Sequence, residues 1–228
     1  MILVTSYYTT DNEDRQKEIN TCLIKNINNP SIKNIYLLND KTYELDFLED
    51  KSKIKQFIIN TTHVNNKLHF KDAIEFINSY CYKDTVILSN TDIYFDHTIE
   101  LLKYDDFNNK VCCLLRHNVD TDGNKDIFRH FGEPRADSQD CWIFKSPLKI
   151  DTNDLKFTFG TLGCDNMFAS ILHEQGYELY NPSYDIIVYH LHNIEERNYN
   201  IDDRVHGNYC LIQPHHLNET PNITFMEY

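Results

Sequence analysis

Along the first half of this 228-residue chain, short β-branched runs alternate with segments of helical periodicity. That alternation constrains the fold more than any other feature, because strands interleaved with helices pack as an α/β sheet. Ile2-Leu3-Val4-Thr5-Ser6-Tyr7-Tyr8 reads as a first strand. Arg15 to Asn28 follows with Ile19, Cys22, Leu23 and Ile27 on one helical stripe, and Asn29-Pro30 stops it. Ile35 to Leu38 and Lys55 to Ile59 are the next strands, and His69 to Tyr80 carries Phe70, Ala73, Ile74 and Ile77 at helical spacing. Thr85-Val86-Ile87-Leu88-Ser89 is almost wholly apolar, as a strand covered on both faces at the centre of a parallel sheet must be. His97 to Tyr104 reads as a short helix and Lys110 to Arg116 as a strand. The expected architecture is a three-layer α/β domain with a central, mostly parallel sheet flanked by helices.

Beyond it lie a loop-rich stretch, Asn118 to Asp140, a strand at Cys141 to Phe144, a helix from Asn166 to Gly176, and strands at Asp185 to Leu191 and Asn208 to Ile212. No repeat or linker divides the chain. It reads as a single domain over 1–228, with a first half (1–116), a second half (117–200) and a tail (201–228).

Charge narrows the partners. Lys and Arg total 22 against 35 Asp and Glu, a net charge of −13, which lacks the cationic footprint a nucleic acid polymer requires. With 41% hydrophobic and 13% aromatic residues, global disorder is excluded. No apolar stretch is long enough to span a bilayer, and the first residues have no basic region typical of a signal peptide. The expectation is a cytoplasmic protein (host cytoplasm if viral) whose seven scattered cysteines are buried thiols.

In open α/β sheets ligands bind beyond the carboxyl ends of the strands. The central strand ends in Ser89-Asn90-Thr91-Asp92, where Asp92 could offer oxygen to Mg²⁺ or Mn²⁺, or simply close a turn. Gly160-Thr161-Leu162-Gly163-Cys164-Asp165-Asn166 precedes a helix, so Asp165 is either a cap at or beside the helix start or a general base in a cleft. In Tyr189-His190-Leu191-His192-Asn193 the period of two turns both imidazoles to one side, able to ligate metal or contact phosphate. Gln139, Asp140 and Trp142 combine amide, carboxylate and the only tryptophan, a set that grips sugars unless the ring is core.

Taken in order, the opening strand Leu3–Tyr7, Asn90-Thr91-Asp92, Gly163-Cys164-Asp165-Asn166 and Tyr189-His190-Leu191-His192 resemble the nucleotide-sugar-dependent glycosyltransferases of GT-A type. The resemblance spans roughly residues 1–200 and is nearest the small domains of large DNA viruses, such as the chlorella-virus capsid-glycan enzymes, and of some bacteria. It implies transfer of a sugar from a nucleoside-diphosphate sugar, UDP by default, to a glycan or other hydroxyl. Thr5, Ser6, Tyr7 and Asp40 match residues around the nucleotide base and ribose, and Asn90-Thr91-Asp92 matches the DxD motif. Asp92 matches that motif's metal-binding Asp, His190 or His192 the histidine completing the shell around Mn²⁺ or Mg²⁺, and Asp165 the base of inverting members. Asn90 departs from the first Asp of the motif, and Asp96 is a candidate supplement. The anionic donor and the acidic chain are reconciled if the metal supplies the positive charge. A non-catalytic carbohydrate- or metal-binding module is the alternative.

Overall fold

In the computed structural model, which describes residues 1–59, 67–194 and 201–228, the apolar runs assemble into one seven-stranded sheet. Its strands are β1 (Ile2–Thr5), β2 (Asn34–Asn39), β3 (Ile54–Ile58), β4 (Thr85–Ser89), β6 (Lys110–Leu114), β11 (Cys141–Lys145) and β12 (Glu178–Tyr180), in the order β12-β6-β11-β4-β1-β2-β3. The pairs β4–β1, β1–β2, β2–β3 and β6–β12 are parallel, whereas β11 runs antiparallel between β4 and β6. The sheet is therefore mostly parallel with one reversed strand.

Alternation along β4 builds both layers. Val86 and Leu88 enter the core beneath α2 (Phe70–Tyr80) and α3 (Cys164–Glu174), with Phe70, Ile74, Phe168 and Leu172. Ile87 enters the opposite core beneath α1 (Glu13–Asn28), with Ile19, Leu23 and Ile35. A strand whose both faces are covered can afford no polar position, which is why this run is so uniformly apolar. All seven cysteines are buried and free. Among the described residues no helix is long and apolar enough to cross a membrane.

A second sheet, in the order β5-β13-β7-β8, comprises β5 (Ile93–Phe95), β7 (His117–Val119), β8 (Lys125–Ile127) and β13 (Val188–His190). Helix α1 pins it. Asn26 donates its amide to the Ile93 carbonyl at 2.9 Å and accepts from the Phe95 N–H at 3.1 Å, standing in for a neighbouring strand. Asn29 donates to the Phe95 and Asp96 carbonyls. A hairpin of β14 (Asn208–Ile212) and β15 (Ile223–Glu227) packs on α3.

The structure departs from the sequence expectation in places. β1 ends at Thr5, and His97–Tyr104 is a 3₁₀ helix. The stretch expected as loop holds β7, β8 and a two-residue ladder of β9 (Arg129–His130) with β10 (Glu133–Pro134). The strand expected over 185–191 shrinks to β13, and α3 starts two residues early. Residues 195–200 of the second half lie outside the described residues.

Candidate active site

The carboxyl ends of β1 and β4 open into a cleft of about 1330 Å³ that contains Ser6, Asp40, Asp92, Asp165, His190 and His192. Asp92 follows β4 in the tight turn into β5, and β13 pairs antiparallel with β5, so strand geometry carries the histidines to the carboxylate. His190 Nε2 stands 3.3 Å and His192 Nδ1 3.4 Å from Asp92 Oδ2. One ligand atom from each residue lies within 4.8 Å of the others, the one such cluster found among the described residues. Burial alone would push the Asp92 carboxyl up. His190, His192 and Arg15 outweigh it and hold the group well below the usual carboxylate range, so it is ionised at neutral pH.

Arg15 was not singled out by the sequence. Its Nη2 donates to Asp92 Oδ2 at 2.5 Å, while Nη1 reaches Glu18 Oε2 at 2.9 Å and the Leu191 carbonyl at 3.1 Å. Glu18 in turn accepts the Asn193 N–H at 2.7 Å. Arg15 and Glu18 lie four positions before Ile19 and Cys22, on the buried stripe of α1. Charges in register with an apolar face are rarely buried unless paired, and that was the signal available. None of the hydrogen bonds among the described residues goes to Asp92 Oδ1. That oxygen and the two imidazoles form a donor set that could hold a divalent cation.

Asp165 is the second residue of α3; the cap is Gly163, at φ +82°. Its Oδ2 accepts the Gln139 N–H at 3.0 Å, and Asn166 donates to Oδ1 at 3.3 Å. Burial, with Asp140 nearby, pushes this carboxyl up to about 7 against the pull of the backbone donors. Gly163 is required twice over. Its left-handed backbone suits glycine, and a Cβ would collide with the hydroxyl end of Tyr209, whose O–H donates to the Val205 carbonyl. Gly163→Ala is expected to cost about 1–3 kcal/mol from overpacking and strain. A thermal melt reads this as a lower Tm; an unchanged Tm would mean that Tyr209 moves aside freely.

The remaining expected residues fall at two ends of the cleft. Thr5 is buried, while Ser6 Oγ meets Thr91 Oγ1 at 2.9 Å, joining the end of β1 to the Asn90-Thr91-Asp92 turn. The Tyr7 N–H donates to Asn39 Oδ1 at 2.8 Å, and its ring lies edge-on to Tyr43 and stacked on Phe47. Tyr43 O–H donates to Asp40 at 2.8 Å. Asn39 and Tyr43, both unremarked in the sequence, thus order this aromatic end.

At the other end Asp140 accepts from Arg116 at 3.0 and 3.1 Å and from Asn90 at 3.2 Å, so it braces the turn that carries Asp92. Gln139 is 2% exposed, bonds the Ala136 carbonyl through its amide, and meets Asp165 through its backbone. Of the two roles open to Trp142, the structure takes the core. It is 1% exposed, with Phe70 and Phe168 edge-on at 5.2 and 5.4 Å. Asp96, the candidate supplement, instead caps the 3₁₀ helix through Thr98.

Comparisons of this sequence with protein-family models and with curated proteins give no match. Among solved structures it is similar to residues 1–349 of S. aureus TarS in complex with UDP-GlcNAc, at 12% identity and a TM-score of 0.55. That match covers 86% of this chain and 59% of the TarS chain, so this chain spans less than two thirds of its neighbour's length. The fold is GT-A-like. Francisella tularensis 2-C-methyl-D-erythritol 4-phosphate cytidylyltransferase also aligns, over 82% of this chain and 92% of its own, at 14% identity and a TM-score of 0.42.

Within this GT-A-like cleft the charge balance differs from the expectation that a metal alone supplies positive charge. Arg15, Arg116, Arg135 and Arg204 all line it. They are scattered along the chain, so no basic run advertised them. The strands and the tail bring them together inside an otherwise acidic protein.

Proposed function

We propose that this chain is a metal-dependent glycosyltransferase. It moves a sugar from a nucleoside-diphosphate sugar, by default a UDP-sugar, to a hydroxyl of a glycan or other acceptor, with inversion. One observation carries the reading: a GT-A-like cleft holds both the Asp92-His190-His192 cluster and a half-buried carboxyl, Asp165, poised near neutrality. A carbohydrate- or metal-binding module would need the first but not the second.

In this reading Ser6, Tyr7 and Asp40 receive the nucleoside, with the Tyr7–Tyr43–Phe47 aromatic group beneath it. Asp92, His190 and His192 hold Mn²⁺ or Mg²⁺. When bound, the cation offsets the charge that builds on the departing diphosphate. Asp165, ionised, takes the proton from the acceptor hydroxyl as that oxygen attacks the anomeric carbon, and one displacement inverts the configuration. Arg116, through Asp140 and Asn90, keeps the Asp92 turn in place, and the Gln139 N–H orients Asp165.

A thermal-shift series with UDP-GlcNAc, UDP-glucose and UDP-galactose, each with and without Mn²⁺, tests the assignment. Ligand at one hundred times Kd stabilises the native state by about 2.7 kcal/mol. That corresponds to roughly 5–10 °C for a domain of this size. The expected outcome is a shift with one or more donors that requires the cation. No shift with any donor, or an equal shift without Mn²⁺, would count against the reading.

A further inference from the structure

We propose that Arg204, with Tyr209 and Tyr228, forms a subsite for an oxyanion, phosphate or carboxylate, carried by the acceptor. The proposal rests on the glycosyltransferase reading and names the acceptor's chemistry. Arg15, Arg116 and Arg135 each have a carboxylate partner in the cleft, at Asp92, Asp140 and Asp137. Arg204 has no ion pair among the described residues. Its guanidinium lies 4.8 Å from the centroid of the Tyr228 ring and faces the Tyr209 hydroxyl. Tyr228 packs on Tyr209 at 4.8 Å between centroids and remains 49% exposed. A half-buried arginine stacked on an aromatic ring, with no carboxylate partner among the described residues, presents a guanidinium fork that matches a planar carboxylate or a phosphate face.

Position separates this site from the donor. Arg15 interacts with Asp92 and Glu18, in the cation cluster. The Arg204 group is electrostatically grouped with the base instead: Asp165 acts on both Tyr209 and Arg135, and Tyr228 acts on Arg135. Gly163, lacking a Cβ, seats the Tyr209 ring against the start of α3, one residue from Cys164 and two from Asp165. An anion held there would sit beside the base while the acceptor hydroxyl faces Asp165. The exposed ring of Tyr228 offers an apolar face to the sugar that bears it.

Calorimetry on the full chain tests this with glucose 6-phosphate, glucuronate and glucose as acceptor probes and with UDP plus Mn²⁺ as the donor probe. Wild type is expected to bind at least one anionic sugar about tenfold or more tightly than glucose. Arg204→Ala should remove that preference, Arg204→Lys should keep part of it, and both should bind UDP within about twofold of wild type. A preference for glucose 6-phosphate alone assigns a phosphate and one for glucuronate alone a carboxylate. Equal binding of all three sugars to wild type, or a preference that survives Arg204→Ala, overturns the subsite. A tenfold loss of UDP affinity in Arg204→Ala overturns it too, by placing Arg204 on the donor. Failure of wild type to bind UDP overturns the glycosyltransferase reading instead, and the sugar titrations still decide the subsite.

Discussion

Asp92→Ala is expected to abolish Mn²⁺-dependent binding of UDP, because it removes the carboxylate on which Arg15, His190 and His192 converge. Altering groups that merely orient a metal's ligands already costs about 10–100-fold in metal affinity, so loss of a ligand itself should exceed that. The substitution also strands cations. Arg15 would keep Glu18 and the Leu191 carbonyl but lose its shortest bond. Breaking one side of a buried pair costs about 3–5 kcal/mol, so a lower Tm is expected alongside. Calorimetry with and without Mn²⁺, on protein whose near-ultraviolet circular dichroism is retained, reads the effect. An unchanged UDP affinity in Mn²⁺ would remove the cation-site assignment.

Asp165→Asn is expected to leave UDP binding intact and to lower transfer by about 100- to 10,000-fold, the range a positioned general base supplies. The replacement is nearly isosteric, and its carbonyl oxygen can still accept the Gln139 N–H. The pH dependence has a definite sign. A carboxyl pushed up to about 7 accepts a proton only when ionised, so the wild-type rate should rise with pH through about 7 and level off above. The mutant should lose that inflection. Stability should run the other way. The native state binds more protons than the unfolded chain between the ordinary value of 3.8 and about 7, so Asp165 lowers stability progressively as pH rises across that window. Asp165→Asn should therefore melt higher than wild type at pH 8 and converge with it near pH 4. Near-normal turnover in the mutant would exclude Asp165 as the base.

The parallel core was legible because a strand buried on both faces has little freedom in composition, and Thr85–Ser89 shows it plainly. The reversal of β11 was not legible, since Cys141–Phe144 reads the same in either direction. β5, β7, β8 and β13 are three residues each, too short for any period to register. Of these, β5 is held by the amides of Asn26 and Asn29, side chains that look like ordinary helix polar residues, and the others follow by pairing on it in turn. In the site, Asp92, Asp165, His190 and His192 stood out because each follows an apolar strand or opens a helix. Arg116 and Arg204 did not, because their chemistry depends on partners distant in the chain. For Trp142 only burial could choose between the two roles the residue permits.

Helix α1 touches both halves of the Asp92-His190-His192 cluster: Arg15 holds Asp92 and the Leu191 carbonyl, Glu18 holds the Asn193 N–H, and Asn26 holds β5. Successive residues on a helix are turned about 100° from one another. Losing or gaining a single residue between Arg15 and Ile19 would thus swing Arg15 off the cluster while Ile19 and Cys22 stayed in the core. The spacing between Arg15 and Ile19 is a phase setting for the site, so substitutions can drift freely on the outer face of α1 while insertions and deletions within that spacing cannot.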